Sequence, residues 1–416
     1  MKSPETPERL LRAAKSAGTP TYVYDAEIIR TRCRQFKSAI AGLPSRLLYA
    51  VKANANPALL EIILEEVDGL EVVSAGEVEL ALRLGVKPDR LLYSPNNITD
   101  SEMDYVAERG VLFNIGELSR LRRFGERYPG SEVSVRLNLW FGAGHHRHVV
   151  TGGEHSKFGL GADQIGTAVD MATRHGLRII GIHQHIGSGF ESAAQYLEAI
   201  DLLLGAAARF PNVRFVNVGG GVGVPYRETD RAFNLQSVSA GLAERLKSLP
   251  GESLRAGGNN GNTVACWFEP GRYLVAESGV LLVRATAVKT LGRKTFVGTD
   301  SGFNHLIRPI LYDAYHEICN LSNPNGDPTT YEIAGNICES GDLFASDRQV
   351  QEIREGDLLA ILDTGAYGMA MASQYNMRAL PAEVILDGNS MTLVRHRETY
   401  TELVDRHLRE TQPRKL

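Results

Sequence analysis

Between Leu47 and Arg272 the sequence repeats one pattern eight times. A short run of apolar, strand-forming residues gives way to a segment whose apolar residues recur at helical spacing. The strand-like runs are LLYAVKA, GLEVVS, RLLYSP, VLFNI, EVSVRLNL, LRIIGIHQHI, VRFVNVGGG and TVACWFEPG; NPALLEIILEEV and SAAQYLEAIDLLLGAAARF typify the helical segments between them. Alternation of this kind calls for parallel strands joined by helical crossovers. Eight units in roughly 250 residues match a (β/α)8 barrel, expected here over 28–273. An open doubly wound sheet is the alternative built from the same alternation.

The pattern changes after Arg272. GVLLVRATAVKTL, KTFVGTDSG, TYEIAGNI, DLLAILDTG, AEVILDG and SMTLVRHRE follow one another with few helices between them. They predict a mostly antiparallel β domain over 274–416, joined by a strand from TPTYVYD within 1–27. The segments GGNNGN at Gly257 and SNPNGDP at Ser322 read as surface loops. A chain of 416 residues is long enough for two cores of this size.

Charge narrows the partners. Lys+Arg number 45 against 49 Asp+Glu, a net charge of −4, with no basic run. Neither nucleic acid nor a membrane surface is expected to bind. The amino terminus lacks an apolar signal core, and no apolar stretch reaches the length of a membrane span. Cys33, Cys266, Cys319 and Cys338 are scattered without a CxxC pair, which suits reduced thiols in a cytoplasm and no zinc site.

In a barrel of this kind, chemistry collects at the carboxyl ends of the strands. The residues that do not belong in a strand fall there repeatedly: Lys52 after the first run, Ser74 after the second, His185 and Ser188 after the sixth, Gly219, Gly220 and Gly221 after the seventh, and Glu269 after the eighth. Lys52 reads either as an edge lysine with its ammonium in water or as a desolvated amine used as a nucleophile or Schiff-base partner. The glycines read as a tight turn or as an anion nest for a phosphate; Gly271 and Arg272, one strand over, favour the phosphate. Metal-ligand spacing around Glu269 is absent, and no metal is expected there. A carboxylate beside a heterocyclic nitrogen favours the protonated ring. A phosphate nest, a Schiff-base lysine and such a carboxylate are together what pyridoxal phosphate requires. His145, His146 and His148 in GHHRH have no partner spaced to complete a metal site and read as a polar active-site loop.

YAVKAN (49–54), VVSAGE (72–77), TGGEHSKFG (151–159), HIGSG (185–189), GGGVGVPY (219–226), EPGRYLVAESG (269–279), RPILYDAYH (308–316), CESGDLF (338–344) and DTGAYGMAMASQYNMR (363–378) stand in this order along the chain. In these motifs the chain resembles the pyridoxal-phosphate decarboxylases with an alanine-racemase-like barrel, in particular the branch acting on meso-2,6-diaminopimelate. The resemblance implies release of CO2 to leave L-lysine, in a homodimer with shared active sites. By the same resemblance Lys52 would carry the cofactor and His185 would stack on its ring. Glu269 would pair with the ring nitrogen; Ser188, Gly219 to Gly221, Gly271, Arg272 and Tyr367 would hold the phosphate end. Arg272, Arg308 and Tyr312, with Glu339 and Tyr367, would contact the substrate. Cys338 and Glu339 would enter the partner subunit's site, and Cys338 or Lys52 would supply the final proton. Two departures from the family pattern are Asn138-Leu139-Trp140 after the fifth strand and Glu71 where Asp is common.

Rival readings keep the fold and change the chemistry. A decarboxylase of ornithine or lysine should offer a carboxylate to the distal amine, where this chain offers Arg308. A racemase profits from a neutral ring nitrogen, which Glu269 opposes. A non-catalytic pyridoxal-phosphate-binding homologue has no use for both Lys52 and Cys338.

Overall fold

A computed structural model of the chain describes residues 6–142, 152–153, 156–190, 192–247 and 264–411. Two compact units divide it: Arg30–Pro225 with Arg231–Leu274, and Met1–Ile29 with Tyr226–Asp230 and Val275–Leu416. Strand β1 (Thr21–Asp25) belongs to the second of these.

The first unit is the expected barrel. Its strands are β2 (Ser45–Ala50), β3 (Gly69–Val72), β4 (Leu91–Tyr93), β5 (Leu112–Ile115), β6 (Glu132–Asn138), β8 (Arg178–His183), β9 (Phe215–Asn217) and β10 (Ala265–Phe268); a two-residue β7 (Leu160–Gly161) hangs on the end of β6. Each strand pairs in parallel with the next, β6 pairs with β8, and β10 closes the ring on β2. Closure rules out the open sheet. The strands are buried on both faces, which is why they read as near-continuous apolar runs rather than alternating ones. Leu48, Leu92, Ile180, Phe215 and Trp267 form one core cluster of the barrel, with the Phe215 and Trp267 rings stacked 3.8 Å apart. Helix starts follow local chemistry. Asn56 accepts from the Ala58 amide at 3.0 Å and Pro57 opens the helix Pro57–Leu64.

The second unit contains one large mixed sheet. Besides β1 it comprises β11 (Gly279–Leu291), β12 (Lys294–Thr299), β13 (Ile318–Asn320), β14 (Pro328–Ala334), β15 (Leu343–Gln351), β16 (Leu358–Ile361), β17 (Ala382–Asp387) and β18 (Ser390–Arg395). Six of its pairings are antiparallel; β1 with β17 and β12 with β14 are parallel. The helix Thr6–Ala17 lays Leu10, Ala13 and Ala14 onto Val23, Leu282, Leu358 and Val384, and this cluster is the core of the unit. SNPNGDP is the turn between β13 and β14, whereas GGNNGN lies outside the described residues. Among the described residues no helix is long and apolar enough to cross a membrane, and the four cysteines are free thiols.

Candidate active site

Polar side chains gather at the carboxyl ends of the barrel strands. Lys52 sits in a single 3-10 turn, Val51–Ala53, directly after β2. Its Nζ lies 2.5 Å from Oε2 of Glu71, a buried residue of β3. The Lys52 side chain keeps 37 % of its exposure. Of the two readings of Lys52, its partial exposure is nearer the edge lysine than the fully desolvated amine, and a neighbouring carboxylate is its close partner. Burial pushes the Glu71 carboxyl up to about 7; Lys52 opposes the rise and Glu269 adds to it.

Glu269 follows β10 and is buried. Its Oε2 lies 3.0 Å from His183 Nε2, and its Oε1 accepts from Asn217 Nδ2 at 2.6 Å. Burial alone would raise its pKa, but His183, Lys52 and the Asn217 donor outweigh burial and hold it below the usual carboxylate range. His183 is pushed down by burial, against the pull of Glu269. As a neutral ring donating from Nε2, it leaves Nδ1 as a buried acceptor with no hydrogen-bond partner among the described residues. Arg136, on β6, adds a cation whose field reaches Glu71, Glu269 and both His183 and His185.

His185 stands at the mouth, half-buried. Burial, with the charges of Arg136 and Lys52, pushes its pKa well below the histidine range, so the ring is neutral. Its Nδ1 accepts from the Gly220 amide at 3.3 Å, and the Gly219 amide donates to Asn217 Oδ1 at 2.9 Å. Two of the three amides read as a phosphate nest thus shape the turn. Gly219 and Gly221 have φ of +72° and +93°, and a Cβ on Gly220 would lie 2.2 Å from the Glu269 carbonyl oxygen. Only glycine fits this run. A Cβ on Gly271 would press on Ala53 at 2.9 Å, so this glycine lets the turn after β10 lie against the lysine turn. Arg272 is buried and donates through Nε and Nη2 to Ser188 Oγ at 3.3 and 3.1 Å. Ser74 is a helix cap, accepting from the Glu77 amide at 3.2 Å.

Asn138 ends β6 and exchanges two 3.0 Å bonds with the backbone of Gly153, while Trp140 turns outward with φ of +61°. The departure at Asn138-Leu139-Trp140 thus forms a stapled turn. His145, His146 and His148 lie outside the described residues, as do Thr151, Glu154 and His155.

The remaining expected site residues belong to the second unit. Arg308, 1 % exposed, opens the helix Arg308–Tyr312; its Nη1 lies 2.8 Å from His316 Nε2, and its guanidinium covers the Tyr226 ring at 4.8 Å. Tyr312, half-buried, closes the same helix. Cys338 and Glu339 are exposed; the Cys338 amide donates to Asn376 Oδ1, and Glu339 Oε1 accepts from the Tyr375 hydroxyl. Tyr367 adopts φ of +57°, a conformation costly for an aromatic residue and concentrated at functional sites.

Residues 26–276 match the family of pyridoxal-dependent decarboxylases, by their pyridoxal binding domain. Over 94 % of its length the chain is 41 % identical to a diaminopimelate decarboxylase of Methanothermobacter thermautotrophicus, covering 92 % of that protein. It is 36 % identical to the Escherichia coli diaminopimelate decarboxylase, with 96 % of both chains covered. The chain belongs to the diaminopimelate decarboxylase family. A solved member from Helicobacter pylori, in complex with L-lysine, superposes with a TM-score of 0.86 at 30 % identity, over 97 % of this chain and 99 % of that one.

The cofactor of these decarboxylases is pyridoxal phosphate, and the residues of the barrel mouth suit it. The mouth offers a primary amine paired to a carboxylate, a buried anion held by two donors, a neutral imidazole and a glycine turn. Glu269 has lone pairs beyond the two in use, so it can still accept from a ring N–H. Glu71, Arg136, His183 and Asn217 were not among the expected site residues. The one signal available was polarity inside otherwise apolar strands, since a charged or amide residue there demands a partner.

Proposed function

We propose that this decarboxylase converts meso-2,6-diaminopimelate to L-lysine and CO2. The observation that carries the chemistry is Glu269, buried yet kept ionised by His183 and Asn217. When bound, pyridoxal phosphate supplies an aldehyde for the substrate amine and a ring that takes up the electron pair left as CO2 departs. Glu269 supplies the charge that keeps the ring nitrogen protonated. Lys52 is the attachment point, and Glu71 accepts a hydrogen bond from its Nζ. The neutral His185 offers a flat face to the ring. Ser188, Gly221, Gly271 and Arg272 hold the phosphate end, with Gly219 and Gly220 fixing the turn. Arg308, with Tyr312, takes the carboxylate that survives in L-lysine.

In this reading the active unit is a homodimer in which Cys338 and Glu339 complete the partner subunit's site. The exposed run from Cys338 to Gly341 in the single chain supports this. Cys338 or Lys52 returns the proton to carbon. Four free thiols support a reducing, cytoplasmic location. The test is turnover: the purified holoenzyme should release CO2 from meso-2,6-diaminopimelate and little from lysine or ornithine. Faster release from either of those would reject the substrate.

Two further results are expected. Lys52→Ala and Cys338→Ala proteins, each nearly inactive, should recover up to about a quarter of wild-type activity after subunit exchange, because half of randomly paired dimers are mixed and one of their sites is intact. No recovery after demonstrated exchange would put both residues in one chain's site. Asn217→Val removes a donor that lowers the Glu269 pKa. That pKa then rises, Glu269 protonates earlier on acidification, and the acid limb of the kcat profile should move to higher pH. A profile that stays in place would deny Asn217 this influence.

A further inference from the structure

We propose that His316 is the positioning residue for Arg308: it fixes the guanidinium for the second carboxylate of the substrate. This rests on the reading of Arg308 given above. Arg308 and His316 are both 1 % exposed. His316 Nδ1 lies 2.7 Å from the Leu362 carbonyl oxygen. A carbonyl only accepts, so Nδ1 carries the hydrogen. Nε2 lies 2.8 Å from Arg308 Nη1, and a guanidinium nitrogen only donates. Nε2 must therefore present its lone pair. The two contacts admit one state of the ring, the neutral Nδ1–H tautomer.

The histidine is itself anchored on the sheet. Its own carbonyl accepts from Arg348 Nη1 at 2.5 Å. The Leu362 amide donates to the Glu317 carbonyl at 2.8 Å, continuing the ladder between β13 and β16. Tyr226 forms another wall, with its ring 4.8 Å from the guanidinium and 5.5 Å from the imidazole at an interplanar angle of 78°. One Arg308 N–H is thus pinned and one face covered. The orientation of its planar fork is tied to the sheet through His316, and a fork of this shape binds a carboxylate through two parallel hydrogen bonds.

Two substitutions separate positioning from packing. His316→Asn keeps an amide donor near Nδ1 and loses the acceptor for Arg308. His316→Gln carries an oxygen to the place of Nε2 and loses the donor to Leu362. The holoenzymes are assayed with meso-2,6-diaminopimelate, with bound-cofactor absorbance and thermal unfolding as checks on folding. The asparagine variant should raise KM about tenfold or more with kcat within about threefold, and glutamine should restore most of the loss. In an Arg308→Leu background the asparagine change should add nothing. Unchanged KM in the asparagine variant, or damage that follows loss of the Leu362 bond instead, would overturn the assignment. Should the asparagine variant not fold, the glutamine variant decides: KM near wild type supports the role and a tenfold rise rejects it. If Arg308→Leu itself leaves KM unchanged, it is the reading of Arg308 that has failed, and this inference falls with it.

Discussion

Glutamine in place of Glu269 is expected to slow decarboxylation by about 10²–10³-fold while pyridoxal phosphate stays bound. The side chain keeps its shape and its place between His183 and Asn217, but its charge is gone. Without that charge the ring nitrogen has no reason to hold a proton, and the electron pair left by CO2 has no cationic ring to enter. His183 matters to the size of the effect. Its Nε2–H donates to Oε2 in the native site, so a glutamine either turns its oxygen to His183 and loses Asn217, or the reverse. One buried donor is left facing another, which adds a desolvation cost of about 1–3 kcal/mol. The measurement is kcat for the variant with its bound cofactor quantified by absorbance. Wild-type turnover with full cofactor would reject the role of Glu269.

The second large effect is expected at Arg308. Charge-assisted hydrogen bonds are worth roughly 1.5–3 kcal/mol each, and a buried carboxylate without its cation costs more. Arg308→Leu should therefore lower kcat/KM for meso-2,6-diaminopimelate about a hundredfold or more, with most of the loss in KM. Cofactor binding should persist, because the barrel residues that suit it belong to the other unit. The alternative is an arginine that only fills a polar gap in its own unit. A variant that folds, binds cofactor and retains its KM would establish that alternative.

The fold was largely legible because its signals are local. Each of the eight barrel strands is a dense apolar run bounded by helix starts, and Asn56-Pro57 marks one of those starts without any tertiary information. The direction of pairing in the second unit was not legible. β1 with β17 and β12 with β14 run parallel, but their residues alternate no differently from those of the antiparallel strands. The site divides in the same way. Lys52, His185, the glycines and Glu269 sit just beyond strand ends, where a polar residue or a glycine run interrupts the apolar pattern. Glu71, Arg136, His183 and Asn217 lie within strands, and their inward direction depends on barrel register. A strand-end hydroxyl and a helix cap look alike in sequence; the bond that Ser74 accepts from the Glu77 amide makes it a cap. The place of Lys52 just after a strand was legible, but the sequence left its environment open between two readings, since its exposure depends on how open the barrel mouth is.

The cofactor site stands or falls on the amine at the end of β2. Borohydride reduction of the holoenzyme, followed by proteolysis and mass spectrometry, should find the pyridoxyl group on one peptide, the one containing Lys52. Reduction that labels another lysine, or leaves the Lys52 peptide unmodified while pyridoxal phosphate is bound, would contradict the site described here.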